Sequence, residues 1–237
     1  MTSLAATEVS VTTSAGPMPA HLWLPSAGVG PGLVLVQEIF GVSRYIQSRA
    51  ADLADLGYVV LAPELYWRLA DAELDESRAD VLQQGMALAA RADWDCAVAD
   101  VRAAYRQLRS SPQVNAGVGL IGFCYGGGLA FNVAALEQPD VLVSYYGSAL
   151  PGLLELSGSV TAPSLHHFGT ADGFIPPEQV ERIRQAVTAG PGAVFETYDG
   201  ADHAFDNHTL SDFYHPEASA AAWDNTRRFL ARELPVS

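Results

Sequence analysis

Cysteine is scarce in this chain: Cys96 and Cys124 are the only two among 237 residues. Two thiols are too few for the disulfide frameworks that hold small secreted domains together. Cys96 lies inside a helical pattern, and we expect it to be a buried packing residue because free cysteine is commonly buried. Cys124 lies in a different context, a glycine-rich turn.

Basic side chains are also few. The chain has 13 Lys and Arg residues against 27 Asp and Glu, which gives a net charge of -14. This excess predicts that neither nucleic acid nor an anionic membrane is a partner, since both repel an acidic protein. We expect a small-molecule substrate and, by default, a monomer. Residues 1–11 lack the basic and apolar segments of a secretory signal, so we expect a cytoplasmic location.

No proline- or serine-rich linker interrupts the sequence, and we therefore expect a single domain that spans residues 1–237. One uncharged stretch, 118–136, has the length of a membrane span. Five glycines interrupt it, however, and glycine disfavours a continuous helix. We interpret this stretch as a buried strand followed by a buried helix.

Short β patterns alternate with helical patterns along the chain. The predicted strands cover 8–13, 21–24, 32–37, 58–62, 118–121, 141–146, 163–168 and 193–198. The predicted helices cover 44–56, 71–91, 93–109, 125–136, 177–189 and 216–230. Repeated βα units with uninterrupted apolar strands are typical of an α/β fold with a mostly parallel central sheet and helices on both faces.

A sharp strand-to-helix turn is predicted at residues 119–128, which read GLIGFCYGGG. The pattern is that of the nucleophile elbow, G-x-S-x-G, in which a strained turn lifts the nucleophile above the sheet of an α/β-hydrolase. Cys124 occupies the position of the serine. The elbow therefore predicts an α/β-hydrolase fold with a thiol as its nucleophile.

Two further predicted strands end in residues that suit nucleophilic catalysis. Asp172 follows one of these strands and His203 follows the other. Ligand sites in such sheets lie beyond the carboxyl ends of the strands, where the side chains that follow each strand can meet. The chain order Cys124, Asp172, His203 is the hydrolase order of nucleophile, acid and histidine. In this interpretation the thiolate attacks a carbonyl, the imidazole moves the proton and the carboxylate orients the imidazole.

Each of these residues has an alternative role. Cys124 alone fits a buried cysteine in a glycine-rich turn, and Asp172 alone fits a turn residue. His208 and His215 share the long loop of His203 and compete with it as the base. The adjacent histidines at 166–167 lie in an apolar strand, where a core role is expected.

We expect neither a metal nor a cofactor. No His-x-x-x-His pair occurs on a predicted helix, and His166 and His167 point to opposite faces of a strand. Asp202 beside His203 does not complete a ligand set.

Several motifs together resemble the dienelactone hydrolase family, whose members are carboxymethylenebutenolidase-like enzymes, and the resemblance covers nearly the whole chain. They are QEIFGV at 37–42, APELY at 62–66, GFCYGG at 122–127, YYG at 145–147, and the loops of Asp172 and His203. The resemblance implies an α/β-hydrolase fold and a Cys124–His203–Asp172 triad that opens a lactone or cleaves an ester.

The resemblance also implies roles that the residues alone do not give. Glu38 would contact the resting thiol and move away when substrate binds, so that the thiolate forms only then; a nearby carboxylate disfavours a thiolate by charge repulsion. Without the family, Glu38 fits a solvated residue at a strand end. The backbone amides of Ile39 and Tyr125 would form the oxyanion hole.

The substrate is less well defined than the reaction. Family members that act on dienelactone hold its carboxylate with arginines, one of them shortly after the catalytic histidine. Here residues 204–208 read AFDNH, so Asp206 and Asn207 stand where an arginine is sought, and Asp206 would repel a carboxylate. The nearest candidates for the second arginine are Arg78, Arg68 and Arg44, with a solvated surface role as the alternative for each.

Aromatic residues near the predicted mouth of the site would suit a small apolar or unsaturated ligand, and core packing is their alternative role. They are Phe40, Tyr66, Trp67, Tyr145, Tyr146 and Phe205. Two other functions stay open: a broad esterase or thioesterase activity at the same site, and a non-catalytic, redox-sensing thiol with Cys96 as its only resolving partner.

Overall fold

The computed structural model describes residues 6–236. The described chain divides into two compact units: the first ends at Val118 and includes Val236, and the second spans Gly119–Pro235. That both belong to a single domain stays a prediction. Of the segment considered as a secretory signal, residues 1–5 lie outside the described residues.

The first unit contains four complete strands and three helices. The strands are β1 (Thr7–Thr13), β2 (Gly16–Trp23), β3 (Gly30–Val36) and β4 (Val59–Pro63). The helices are α1 (Arg44–Asp55), α2 (Val81–Arg91) and α3 (Trp94–Arg109). The strand order is β1-β2-β4-β3, with β2 antiparallel to both of its neighbours and β3 parallel to β4. Every residue of β3 and β4 is buried, as their uninterrupted apolar runs predict.

The second unit is built on parallel strands. These are the end of β5 (Val114–Phe123), then β6 (Leu142–Tyr145), β7 (Ser164–Gly169) and β8 (Ala193–Tyr198), in that spatial order. Its helices are α4 (Tyr125–Glu137), α5 (Pro177–Val187) and α6 (Pro216–Glu233). Two short 3₁₀ helices, Leu150–Gly152 and Leu154–Ser159, follow β6 and were not predicted. The mostly parallel pairing predicted from the sequence is confirmed.

The predicted helix over 71–91 is wrong in its first half, because α2 begins only at Val81. Asp71 has a φ of 55°, in the left-handed region that interrupts a right-handed helix. The Asp75 carboxylate accepts hydrogen bonds from the Ser77 backbone N–H at 3.0 Å and from its hydroxyl at 2.5 Å. Such local bonds offer the backbone an alternative to helix, so the segment forms turns.

The expectation for Cys96 is also wrong, because its side chain is exposed. Asp93 caps α3 by accepting a hydrogen bond from the Cys96 backbone N–H at 2.8 Å, which fixes where the helix begins. The buried face then starts at Ala97 and Val98 and continues at Val101. Cys96 falls on the other side of the helix.

The stretch 118–136 forms the end of β5 and most of α4, as predicted. Most of α4 is buried within the second unit, which accounts for its apolar composition. In the part of the chain that the structure describes, no helix has both the length and the apolar character needed to cross a membrane.

Candidate active site

Cys124 stands alone between the last residue of β5 and the first residue of α4, as the elbow motif predicts. Its backbone has a φ of 52° and a ψ of -115°, a strained conformation for a residue with a side chain. Gly122 makes this turn possible, because a Cβ there would lie 2.1 Å from the Gly126 carbonyl oxygen. The Cys124 carbonyl accepts hydrogen bonds from the backbone N–H groups of Gly127 and Ser148. These bonds tie the turn to α4 on one side and to the segment after β6 on the other.

His203 lies between Cys124 and Asp172. Its Nε2 is 3.1 Å from the Cys124 sulfur, and its Nδ1 is 2.8 Å from an Asp172 carboxylate oxygen. All three residues are at least nine-tenths buried and belong to the second unit. The carboxylate at Nδ1 accepts that nitrogen's hydrogen, so in its neutral form the ring turns the lone pair of Nε2 toward the sulfur. The geometry is that of a nucleophile, a base and an orienting acid.

The other histidines considered from the sequence, including the two that compete with His203 as the base, have structural contacts. The His215 ring accepts a hydrogen bond from the Ala218 backbone N–H and so caps α6. The His208 ring packs edge-on against Tyr214. His166 and His167 are fully buried in β7, which confirms their expected core role. Burial lowers the pKa of His166 to about 4 and that of His167 to about 3.

Asp172 is fixed by backbone donors as well as by the imidazole. Its Oδ1 accepts from the N–H groups of Phe174 at 2.8 Å and Ile175 at 2.9 Å, which leaves Oδ2 for His203. A carboxylate that accepts several hydrogen bonds is held in one orientation. This fixed anion can set the tautomer of the imidazole.

Two electrostatic effects compete at His203. Burial disfavours the imidazolium and by itself would lower its pKa, but the Cys124 sulfur and the Asp172 carboxylate outweigh burial and raise the pKa of His203 to about 10. The imidazole is therefore a strong base placed beside the sulfur, as the transfer of a thiol proton requires.

Three residues of this site were not assigned from the sequence. Asp202 joins two loops, because its Oδ1 accepts from the backbone N–H of Gly173 at 2.8 Å and of His203 at 2.6 Å. The Ser148 hydroxyl lies 3.8 Å from the Cys124 sulfur. The Phe174 ring centroid is 5.1 Å from that of His203, and its side chain is 47% exposed. Only sequence proximity to Asp172 and His203 could have indicated two of them, Phe174 and Asp202.

The aromatic residues of the second unit that were predicted to contact substrate are buried. Tyr145 is completely buried, and its hydroxyl lies 2.6 Å from the Thr226 hydroxyl. Tyr146 packs against His203 and Phe205, with ring centroids 5.2 Å and 5.3 Å apart. These contacts agree with the alternative of core packing, and direct contact with a substrate stays a prediction.

Asp206 has a structural contact that the sequence did not indicate. It is completely buried, and its Oδ1 accepts a hydrogen bond of 2.6 Å from the Ser219 hydroxyl, which links the loop to α6. Asn207 organises the next turn, since its side-chain oxygen accepts from the Thr209 N–H at 3.0 Å. No arginine replaces them after His203.

In the first unit, Glu38 follows β3 and is completely buried, so the alternative of a solvated residue at a strand end is wrong. Its neighbour Gln37 holds the segment in place: the side chain donates to the Glu38 carbonyl and accepts from the Leu65 N–H. The gating role of Glu38, and the oxyanion-hole roles of the Ile39 and Tyr125 amides, stay predictions.

Phe40 lines a cavity of about 860 Å³ in the first unit together with the other two aromatic residues predicted there, Tyr66 and Trp67. Its lining also includes several carboxylates, Glu64, Asp71, Glu73 and Glu76, whereas none of the described residues that line it is basic.

The three candidate arginines of the first unit are engaged with acids. Arg78 is exposed and forms two hydrogen bonds with Asp80, at 2.8 and 3.1 Å. Arg68 binds the buried carboxylate of Asp100 and stacks on the Trp67 ring. The third, Arg44, pairs with Glu76 at 3.4 Å. Among residues 6–236, no group of three or more His, Cys, Asp or Glu side chains is arranged to hold a metal ion.

Comparison with known proteins gives a consistent result. A family model described as the dienelactone hydrolase family matches residues 18–234. A carboxymethylenebutenolidase of Pseudomonas sp. (strain P51) is 38% identical over 220 residues, which cover 92% of this chain and 91% of the relative. A carboxymethylenebutenolidase of Pseudomonas putida is 37% identical over 210 residues, covering 87% and 88% of the two chains.

A solved structure agrees. A Klebsiella pneumoniae protein provisionally named a dienelactone hydrolase superposes with a TM-score of 0.84 at 29% identity, covering 97% of this chain and 99% of that one. The expected α/β-hydrolase fold is thereby confirmed.

Proposed function

Because the chain belongs to the dienelactone hydrolase family, we propose that it opens a lactone or cleaves a small carboxylic ester with Cys124 as nucleophile, His203 as general base and acid, and Asp172 as the orienting carboxylate. One observation carries this proposal: His203 bridges the sulfur at 3.1 Å and the carboxylate at 2.8 Å. Each distance allows direct proton transfer or orientation by a hydrogen bond.

The reaction divides into acylation and deacylation. His203 Nε2 takes the thiol proton, and the sulfur bonds to the carbonyl carbon while the π electrons move to oxygen. The carbon–oxygen bond of the ester then breaks, and the leaving oxygen receives the proton from Nε2. Water next gives a proton to Nε2 and its oxygen bonds to the acyl carbon. The carbon–sulfur bond breaks with its electron pair going to sulfur, the carbonyl re-forms and the acid product departs, and the proton on Nε2 returns to the sulfur.

The developing oxyanion needs donors that face it. In our proposal these are the backbone N–H of Tyr125, the first residue of α4, and the backbone N–H of Ile39. The N-terminus of α4 carries the positive end of the helix dipole, so charge that develops beside Cys124 is stabilised there. We propose that Glu38 keeps the resting sulfur protonated, as the family resemblance implies.

The preferred substrate in this proposal carries no carboxylate of its own. Residues 204–208, directly after His203, contain no arginine, and the three arginines considered from the sequence are each bound to an acidic side chain. Esters and thioesters with small uncharged acyl groups fit the same chemistry. We further propose a single domain that acts as a cytoplasmic monomer without a cofactor.

The two cysteines provide the test. We expect Cys124→Ala to remove hydrolysis of p-nitrophenyl acetate, with a loss of at least about 10³-fold in kcat/KM, because no other group replaces the nucleophile. Cys96→Ala is the matched control and should keep the wild-type value, since Cys96 is exposed and hydrogen bonding to Asp93 raises the pKa of its thiol. Substantial activity in Cys124→Ala would refute the proposed nucleophile.

A further inference from the structure

A second polar side chain lies beside the sulfur. The Ser148 hydroxyl oxygen is 3.8 Å from the Cys124 sulfur, at the outer limit of a hydrogen bond to sulfur and longer than the 3.1 Å that separates the sulfur from His203. Hydrogen bonds of a catalytic site are often long before the substrate binds and shorten in the reacting complex. Ser148 is therefore placed to become a second partner of the sulfur.

The backbone fixes Ser148 in this place. Its N–H donates to the Cys124 carbonyl at 3.2 Å, so the serine is tied to the residue whose sulfur it faces. The preceding residue, Gly147, is tightly enclosed: a Cβ there would lie 2.4 Å from the Leu150 side chain and 2.8 Å from the Ser144 hydroxyl. The segment after β6 therefore has little room to carry Ser148 away from the elbow.

A thiolate at the buried Cys124 sulfur requires a hydrogen-bond donor, and a hydroxyl can supply one. Cys124 is only 8% exposed, so water stabilises its thiolate poorly. His203 is one donor, but its proton is also the one transferred to the leaving group. A serine hydroxyl can accept from the thiol and donate to the thiolate, because it rotates to suit either state.

We propose that Ser148 is a catalytic residue that donates a hydrogen bond to the Cys124 thiolate. It would assist at two points. In acylation it stabilises the thiolate that forms when the thiol proton moves to His203 Nε2. In deacylation it stabilises the same thiolate as the carbon–sulfur bond breaks and the bonding pair returns to sulfur. Ser148 itself neither gains nor loses a proton. The inference rests on the proposed nucleophilic role of Cys124.

The test is the pH profile of kcat/KM for p-nitrophenyl acetate in the wild type and in Ser148→Ala. The acid limb of this profile reports the ionisation of the free enzyme's sulfur–imidazole pair. Without the donor, the thiolate is less stable, so the limb should move to higher pH. On the acid side of the profile we expect kcat/KM of the variant to be about 3- to 10-fold lower than that of the wild type. This loss is modest for a hydrogen bond to a charged group because the contact is long. The two enzymes should converge on the alkaline plateau.

A matched serine controls for the loss of a hydroxyl. The Ser157 hydroxyl is buried in the same unit and has no hydrogen-bond partner among the described residues, so Ser157→Ala should leave the profile unchanged. Ser148→Gly is the second variant, for use if Ser148→Ala does not fold. An unmoved acid limb, or a loss that is equal at every pH, would overturn the role of Ser148. Cys124→Ala tests the proposed function separately, because its activity depends on the nucleophile whatever Ser148 does.

Discussion

At the scale of single residues, the pairing of arginines with acids supports the proposed preference for uncharged substrates. The arginines that could recognise a carboxylate are engaged elsewhere: Arg68 with the buried Asp100, and Arg78 with Asp80. Breaking the Arg68 pair would leave a buried carboxylate without its cation, which is costly. A substrate carboxylate would therefore have to compete with an established ion pair.

The substrate prediction follows from this pairing. We expect kcat/KM for an uncharged five-membered lactone to exceed that for dienelactone, because the loop directly after His203, residues 204–208, holds an acidic residue, Asp206, and no arginine. Parallel assays with the two lactones at equal concentration measure the ratio. An Asn207→Arg variant should shift the ratio toward dienelactone by introducing a cation near the histidine. A wild-type preference for dienelactone would contradict the expectation.

At the scale of elements, the site depends on the loops that follow β7 and β8. The β7 loop carries Asp172 and the β8 loop carries His203. Asp202 connects them through bonds to the backbone of Gly173 and His203. The β7 loop leaves the end of a fully buried strand, and the β8 loop follows the buried Tyr198 at the end of β8. The strands therefore fix where the loops begin, and Asp202 fixes how they meet.

Removing this connection should affect turnover more than stability. We expect Asp202→Ala to lower kcat about 10- to 100-fold, because a misplacement of about 1 Å between reacting groups can cost that much. Asp202→Asn keeps a side-chain oxygen as acceptor and should stay within about threefold of the wild type. Steady-state kinetics with p-nitrophenyl acetate, beside thermal unfolding curves, measure both effects. Equal losses in the two variants would indicate that the charge matters and the acceptor does not.

At the scale of the whole molecule, buried histidines link stability to pH. His166 and His167 are neutral in the folded protein because burial lowers their pKa to about 4 and about 3. In the unfolded chain they bind protons below about pH 6.5. Falling pH therefore favours unfolding. The effect of His203 has the opposite sign: its raised pKa, about 10, adds stability below pH 6.5 that is lost as the pH rises toward 10.

Acid should therefore destabilise the protein in a histidine-dependent way. Between about pH 6 and pH 4, His166 and His167 should each lower the folding equilibrium constant roughly tenfold per unit fall in pH. Urea unfolding at pH 6, 5 and 4 measures the slope, and His166→Gln should reduce it by one histidine's share. His208→Gln is the control, because His208 is exposed. An unchanged slope in His166→Gln would show that this residue is not held neutral.

The sequence predicted most elements of the fold and located Cys124, Asp172 and His203, because strands, strand ends and turns follow from local patterns. Strand periodicity and glycine placement located β5, Cys124 and α4. The sequence pattern indicated only the order of Asp172 and His203 along the chain. The parallel strands place the two residues next to each other in space. The failures have physical causes: side-chain bonds to the backbone outcompeted helix at 71–80, and the Asp93 cap set the helical phase that exposes Cys96.

Ser148 and Asp202 escaped prediction for a different reason. Their partners lie far away in sequence: Ser148 faces a sulfur 24 residues earlier, and Asp202 binds a backbone amide 29 residues earlier. Such contacts depend on the packing of neighbouring strands and loops, which no local pattern specifies. These two long-range contacts could be found only once the strands had been placed side by side.

The backbone of Cys124 has a consequence for how this enzyme can change over generations. Its left-handed conformation suits glycine, and holding a side-chain-bearing residue there costs on the order of 1–3 kcal/mol. Mutations that relax this turn would make the protein more stable but, on the proposed role of Cys124, inactive. Only selection for turnover would therefore remove such mutations. With Cys124 as the proposed nucleophile, the sulfur is thus kept in its position at a cost in stability.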